Sequence, residues 1–330
     1  FMYKINDLYD LTHSQAKDYL SKYEYPWQAL KGIVIGKEEC VRKVMAAILA
    51  GGHILLEDIP GVGKTTLAMA FSETMALQNN RLQFTPDVMP SDLLGFSMYQ
   101  KQTGTFEYQT GAVMCNLFLG DEINRTSPKT QSALLEVMEE GNVTVDGVTR
   151  KVPEPFVVIA TENPAGSVGT QLLPESQLDR FMICISLGYP SLENEIAIVK
   201  GRQIQDDKAV LQPVINAEQL LYCKKLVEQI YMADDIYRYL CEICQTTRTN
   251  PLIELGVSPR GSFALMRISK AIAFLHGRDY VIPGDIDEIF LDVAAHRLVR
   301  SAKAKAAKRS AESILIEVMQ NVKKPTAARR

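Results

Sequence analysis

Read along the chain, apolar and polar positions change period several times. Residues 1 to about 30, which include Trp27, read as a helical N-terminal segment, and from Ile33 onward the pattern alternates. Val41, Val44, Met45 and Ile48 lie at helical spacing within 38–50. His53-Ile54-Leu55-Leu56-Glu57 is a short apolar strand, followed by a Gly-rich turn and a helix over 65–76. Strands are then predicted at 81–84, 116–119, 156–160 and 183–187. Helices intervene, one after the strand at 81–84, one at 130–140 and one ending near Phe181. Short apolar runs alternating with helices predict a parallel sheet buried on both faces, an α/β core. Two stretches break the schedule as hairpins. Residues 142–151 alternate about Asp146-Gly147, a type I′ turn pair, and residues 97–109 alternate about Thr103-Gly104. After Pro190 the pattern is almost entirely helical, with a break expected at Pro213. Two domains are therefore expected, an α/β core over 1–190 and an all-α domain over 191–330.

Composition narrows the classes. The 330 residues include 36 Lys+Arg against 39 Asp+Glu, a formal charge of −3, with 46% hydrophobic residues. That excludes a chiefly disordered chain and a generally basic nucleic-acid binder. The longest apolar stretch, Val44 to Leu56, is interrupted by Gly51, Gly52 and His53 and is too short to span a bilayer. Phe1 ahead of Met2 reads as an expression remnant, and no apolar signal region follows, which makes the cytoplasm the expected compartment. The six Cys are scattered without a disulfide framework. Cys241 and Cys244 form a lone CxxC on a predicted helix without further ligands, so they read as core residues, and the four His form no metal motif.

The chemistry concentrates in Pro60-Gly61-Val62-Gly63-Lys64-Thr65-Thr66, which follows a strand and opens a helix. Phosphates are favoured at a helix N-terminus, where free N–H groups and the positive dipole end converge, and glycines let the backbone curl around them. Lys64 can reach the β- and γ-phosphates, and the Thr65 hydroxyl can ligate Mg²⁺. The pattern departs from GxxxxGK[ST] at its first glycine, where this chain has Asp58. Leu117-Phe118-Leu119-Gly120-Asp121-Glu122 is an apolar strand ending in two carboxylates. Asp121 is placed to hold Mg²⁺ and Glu122 to act as general base toward water. Three further residues are candidates: Asn163 at the next strand tip, Arg180 at the end of a helix, and Arg260 in the first turn of a helix begun by Ser258 or Pro259, free to point at phosphate. Each of the three, taken alone, is more often a loop amide or a surface ion-pair residue.

With these residues in view the chain resembles the AAA+ ATPases, and among them the MoxR family. The similarity runs from about Ile33 to Arg300, through 56–65, 84–87, 121–125, 131–136, 173–181 and 258–260. The resemblance implies ATP and Mg²⁺ as ligands, with Lys64 and Thr65 as the Walker A pair and Asp121 and Glu122 as the Walker B pair. It makes Asn163 sensor 1, Arg180 the arginine finger and Arg260 sensor 2, and it places Val34-Ile35-Gly36 along the adenine pocket. The hairpins correspond to two inserts of the clade, and an extra helix over 191–203 displaces the lid, so that Arg260 is open to acting in cis or in trans. Thr161-Glu162-Asn163 departs from the family's Thr-Gln-Asn at Glu162. The resemblance further implies a hexameric ring and chaperone-like activation of protein complexes, often with von Willebrand factor A-type partners. Two alternatives belong to the same clade. A nucleic-acid motor would have to use the basic run Arg297, Arg300, Lys303, Lys305, Lys308, Arg309, since the hairpin tips carry little positive charge. A metal-chelatase motor subunit would need a separate chelatase partner.

Overall fold

The computed structural model describes residues 36–58, 61–163, 173–204 and 213–325. Val34, Ile35, Pro60 and the expected N-terminal helical segment lie outside the described residues. The described residues open with α1 (Glu38–Leu49), β1 (Ile54–Glu57) and α2 (Lys64–Thr74). It continues through β2 (Asn79–Gln83), α3 (Pro90–Leu94), the hairpin β3 (Gly95–Gln100) and β4 (Thr105–Thr110), and β5 (Leu117–Asp121). A 3-10 turn (Ile123–Arg125) leads to α4 (Pro128–Glu140), the hairpin β6 (Asn142–Val145) and β7 (Val148–Lys151), and β8 (Val157–Glu162). Then come α5 (Glu175–Leu178), β9 (Ile183–Ile185) and α6 (Leu192–Ile204). The remainder comprises α7 (Ala217–Gln229), α8 (Asp234–Thr249), β10 (Ile253–Leu255), α9 (Pro259–Leu275), α10 (Pro283–Ala294), β11 (Val299–Arg300), α11 (Ala302–Ala306) and α12 (Ala311–Asn321).

Five strands form one parallel sheet in the order β2-β5-β8-β1-β9. Strand order reverses about β1, so the loop after β1 opens into the crevice where parallel sheets place ligands. The central strands β1, β5 and β8 divide their side chains between two apolar clusters, as a period of two requires. Ile54, Leu56, Leu117, Leu119, Val157 and Ile159 join α1, α2 and the C-terminal helices α7 to α10, while Leu55, Phe118, Val158 and Ala160 join α4 and α3. β5 is fully buried, which explains a run of three apolar residues where an exposed strand would alternate. Truncating a side chain such as Phe118 would cost about 3–5 kcal/mol.

Both hairpins form. At the second, Asp146 (φ 51°) and Gly147 (φ 73°) are both left-handed, as a type I′ turn demands. The α5 helix is a single turn, so Arg180 sits in the turn beyond it rather than at the end of a longer helix. The expected all-α region needs one correction: β10 and β11 pair as a small antiparallel sheet. Pro251 and Gly256 bracket an extended Ile253-Glu254-Leu255, too short to show a period. Among the described residues no helix is long and apolar enough to cross a membrane.

Candidate nucleotide site

The loop after β1 enters α2 through Gly63, whose φ of 98° is open to glycine and strained for other residues. Gly61 has φ 88°, and a Cβ added to either glycine would meet no atom within 4 Å, so the backbone here borders open space. No side chain caps α2, and the N–H groups of its first turn are left for a ligand. Lys64, only 8% exposed, lies over the loop and donates to Asp58 O at 2.5 Å, Glu162 O at 3.2 Å and Asn163 Oδ1 at 3.4 Å. Burial lowers its pKa, while the surrounding Asp58, Glu122, Asp121 and Glu162 charges oppose that shift. Asp58 fills the place of the missing glycine and works by its side chain: Oδ2 accepts from Ser186 Oγ at 2.9 Å and from the Gly188 amide at 2.6 Å. Gly36, the described part of the expected adenine segment, lies in a left-handed turn against Asn194 of α6.

The acid pair lies at the tip of β5. Asp121 is buried and accepts from Thr65 Oγ1 at 3.5 Å, Thr161 Oγ1 at 3.4 Å and Arg81 Nε at 2.7 Å. Glu122 adopts a left-handed backbone (φ 58°, ψ 51°), unusual for a glutamate. Its Oε1 accepts from Asn163 Nδ2 at 2.9 Å, and its Oε2 from Gln83 Nε2 at 3.0 Å and Arg125 at 2.8 Å. Arg125, first, and Asn163 hold its pKa below the usual value against a burial effect of opposite sign. Thr161 ties the two acids together, accepting from the Glu122 amide at 2.9 Å. The Asn163 carbonyl is fixed by Asn124 Nδ2 at 3.0 Å.

Lys64, Thr65, Asp121, Glu122 and Asn163 are thus brought together. Arg180 and Arg260 are not among them; they meet elsewhere, on Glu139. Arg260 was expected to be free, and it is instead paired with Glu139 Oε1 at 2.8 Å, because α4 ends beside the start of α9. The basic run is also broken. Arg297 is 4% exposed and paired with Asp179 at 2.7 Å, and Arg309 is paired with Glu317 at 2.8 Å, so these six residues do not form one continuous cationic face. Residues missed from sequence are Arg81, Gln83, Arg125, Thr161 and Glu139. Arg81 and Gln83 flank Leu82 on β2, and that alternation is the signal that would have aimed both at the tip of the neighbouring β5.

The Thr65 hydroxyl and the Asp121 carboxylate offer oxygen donors of the kind a hard divalent cation takes, and the residues fit Mg²⁺. Among the described residues no cluster of three or more His, Cys, Asp or Glu is arranged to hold a metal. Magnesium bound to phosphates needs only one or two protein oxygens.

Residues 53–183 match the family model of the ATPase family associated with various cellular activities, and residues 245–318 match an AAA lid domain. The chain is 35% identical to Chaperone MoxR1 of Mycobacterium tuberculosis, over 90% of this chain and 80% of that one. It belongs to the MoxR family of AAA+ ATPases. The uncharacterized protein YeaC of Bacillus subtilis is 47% identical over 89% of this chain and 92% of its own. A crystal structure of a protein from Cytophaga hutchinsonii assigned as an ATPase superposes with a TM-score of 0.87 at 33% identity, covering 95% of this chain and 97% of that one. The parallel sheet, the phosphate-type loop and the helical lid are those of this MoxR-family fold.

Proposed function

We propose that this MoxR-family chain hydrolyses ATP in a Mg²⁺-dependent reaction and uses the cycle for chaperone-like remodelling or activation of a protein complex. The observation that carries the reading is the convergence of Lys64, Thr65, Asp121, Glu122 and Asn163 at the ends of β1, β5 and β8. The first-turn amides of α2 and the Lys64 ammonium bind the β- and γ-phosphates, which offer Lys64 charged acceptors in place of neutral carbonyls. Thr65 and Asp121 would hold Mg²⁺, which when bound neutralises phosphate charge and polarises the oxygens of the transferring group. Glu122 is the general base. It takes a proton from water as the water oxygen bonds to the γ-phosphorus and the bond to the ADP oxygen breaks. Asn163 and Arg125 hold its carboxylate ionised and aimed. Gln83 adds a third donor, and all three restrain the side chain.

Two partly exposed arginines complete the scheme. In a hexameric ring of this chain, Arg180 reaches the γ-phosphate on the neighbouring copy as its arginine finger and Arg260 acts as sensor 2. The division near residue 190 separates the nucleotide-binding core from the linker helix and lid, and relative motion between them drives the client. The Mycobacterium relative's designation as a chaperone supports a protein client. A nucleic-acid track is disfavoured by the burial of Arg297 within the basic run. The test is a pair of measurements on wild type and Glu122→Gln. Both should take up ATP with magnesium, and only wild type should release phosphate. Unchanged turnover in the variant would remove Glu122 as the base, and absence of ATP uptake by wild type would overturn the whole reading.

A further inference from the structure

Arg180 and Arg260 lie far apart in sequence, yet one carboxylate joins them. Glu139 Oε1 accepts a hydrogen bond from a terminal nitrogen of Arg260 at 2.8 Å. Glu139 Oε2 lies 3.2 Å from Arg180 Nε, as an ion pair without hydrogen-bond alignment. The three side chains are 29%, 44% and 38% exposed for Arg180, Arg260 and Glu139, so the cluster is open to a second molecule.

Glu139 occupies an adverse position. It lies in the last turn of α4, where the helix dipole disfavours a carboxylate and no basic residue of the helix compensates. Compensation comes from the two arginines instead. The backbone beneath it is fixed: the Met138 carbonyl accepts from buried His53 Nε2 at 3.0 Å, and Gly141 closes the helix in a left-handed turn. The arginines stand on a shared base as well. Asp179, next to Arg180, accepts from Ser258 Oγ at 2.9 Å and from Arg297 Nε at 2.7 Å. Ser258 caps the helix that carries Arg260.

We infer that Glu139 is a positioning residue that holds Arg180 and Arg260 side by side as one two-pronged receptor for an anion, the phosphate chain of nucleotide bound by a second copy. The inference rests on the role given to Arg180 above and adds the residue that arranges it. Two guanidiniums and one carboxylate carry a net charge of +1, so the arginines can approach without mutual repulsion. The closest approach of Arg180 to Glu139 is through Nε rather than a terminal nitrogen, and Arg260 hydrogen-bonds it through one terminal nitrogen. Donors therefore remain on both for a planar, bidentate grip on phosphate oxygens. Without Glu139 the two side chains repel and regain rotamer freedom, and the paired geometry is lost.

The experiment compares steady-state ATP hydrolysis and labelled-ADP binding by wild type, Glu139→Gln, Arg180→Ala and the double variant, each assembled at the same concentration. Nucleotide is bound by the Lys64 loop, so Glu139→Gln should bind ADP like wild type, with KM unchanged and kcat reduced roughly 10- to 100-fold, the cost of misplacing a catalytic group. The double variant should lose less than the product of the two single losses, since part of what Glu139 does runs through Arg180. An unchanged or raised kcat in Glu139→Gln, or losses that multiply in the double variant, would overturn the proposal. Wild-type turnover by Arg180→Ala would instead overturn the underlying role of Arg180. If Glu139→Gln folds poorly, Glu139→Asp shortens the carboxylate by one methylene and repeats the comparison on a smaller scale with the same two outcomes.

Discussion

Replacing Glu162 by Gln should stabilise the protein at alkaline pH and leave it unchanged in acid. Glu162 ends β8 directly beside Glu57, its in-register partner on parallel β1. Burial, first, and the Glu57 charge raise its carboxyl from the ordinary 4.5 to about 7, with Lys64 opposing. A folded-state pKa above the unfolded one means that the folded protein holds a proton the unfolded chain has released. The contribution is thus most favourable below pH 4.5 and is lost as pH rises through 7. The difference of about 2.5 units corresponds to about 3 kcal/mol against folding at pH 8, at roughly 1.4 kcal/mol per unit. Glutamine keeps the shape and carries no charge to desolvate. Thermal melts of both proteins from pH 5 to pH 8 should show a gap that opens with pH and reaches several degrees, at about 2 °C per kcal/mol for a domain of this size. A gap that is constant across the range, or a Gln variant less stable at pH 8, would refute the burial argument.

Further outcomes follow from the same geometry. Lys64→Ala should abolish ATP uptake in a labelled-nucleotide titration while leaving the melting temperature nearly intact; retained affinity would remove the phosphate role. Arg180→Ala should lose hydrolysis and regain it in mixed assemblies with Lys64→Ala subunits, which supply Arg180 but bind no ATP; without rescue in phosphate release, action across the subunit boundary is wrong. His53 is buried and neutral, with its pKa pressed down to about 4 by desolvation, so its contribution is whole above 6.5 and drains away as pH falls toward 4. Between pH 6.5 and 4.5 wild type should lose about 2–3 kcal/mol more than His53→Gln in urea unfolding, and equal slopes would sink this assignment.

Much of the core was legible because its signals are local. The apolar triplet 117–119 announces a strand buried on both faces, and Asp146-Gly147 fixes its turn by backbone requirement alone. The Gly61–Thr65 loop carries its chemistry in consecutive residues, and the acids at 121–122 end their own strand. What escaped depends on partners remote in sequence. Arg297 stands among basic neighbours and reads as one of a solvent-facing row, while its burial comes from Asp179 and the carbonyls of Phe181 and Met182. Glu139 is one of two consecutive glutamates at a helix end, with nothing local to set it apart from Glu140. Arg260 reads as free because only the three-dimensional approach of α4 to α9 supplies its counter-ion. β10 and β11, of three and two residues, are shorter than any period a pattern can display.

Asp58 has a mechanical consequence. Where a glycine would offer no side chain at the start of the loop, this carboxylate accepts from Ser186 and Gly188, and Lys37 donates to the carbonyls of Leu187, Gly188 and Tyr189. The segment between β9 and α6 is thereby fastened to the start of the loop that enters α2. Because this segment runs straight into α6, a shift of the loop would be felt first at the start of that helix.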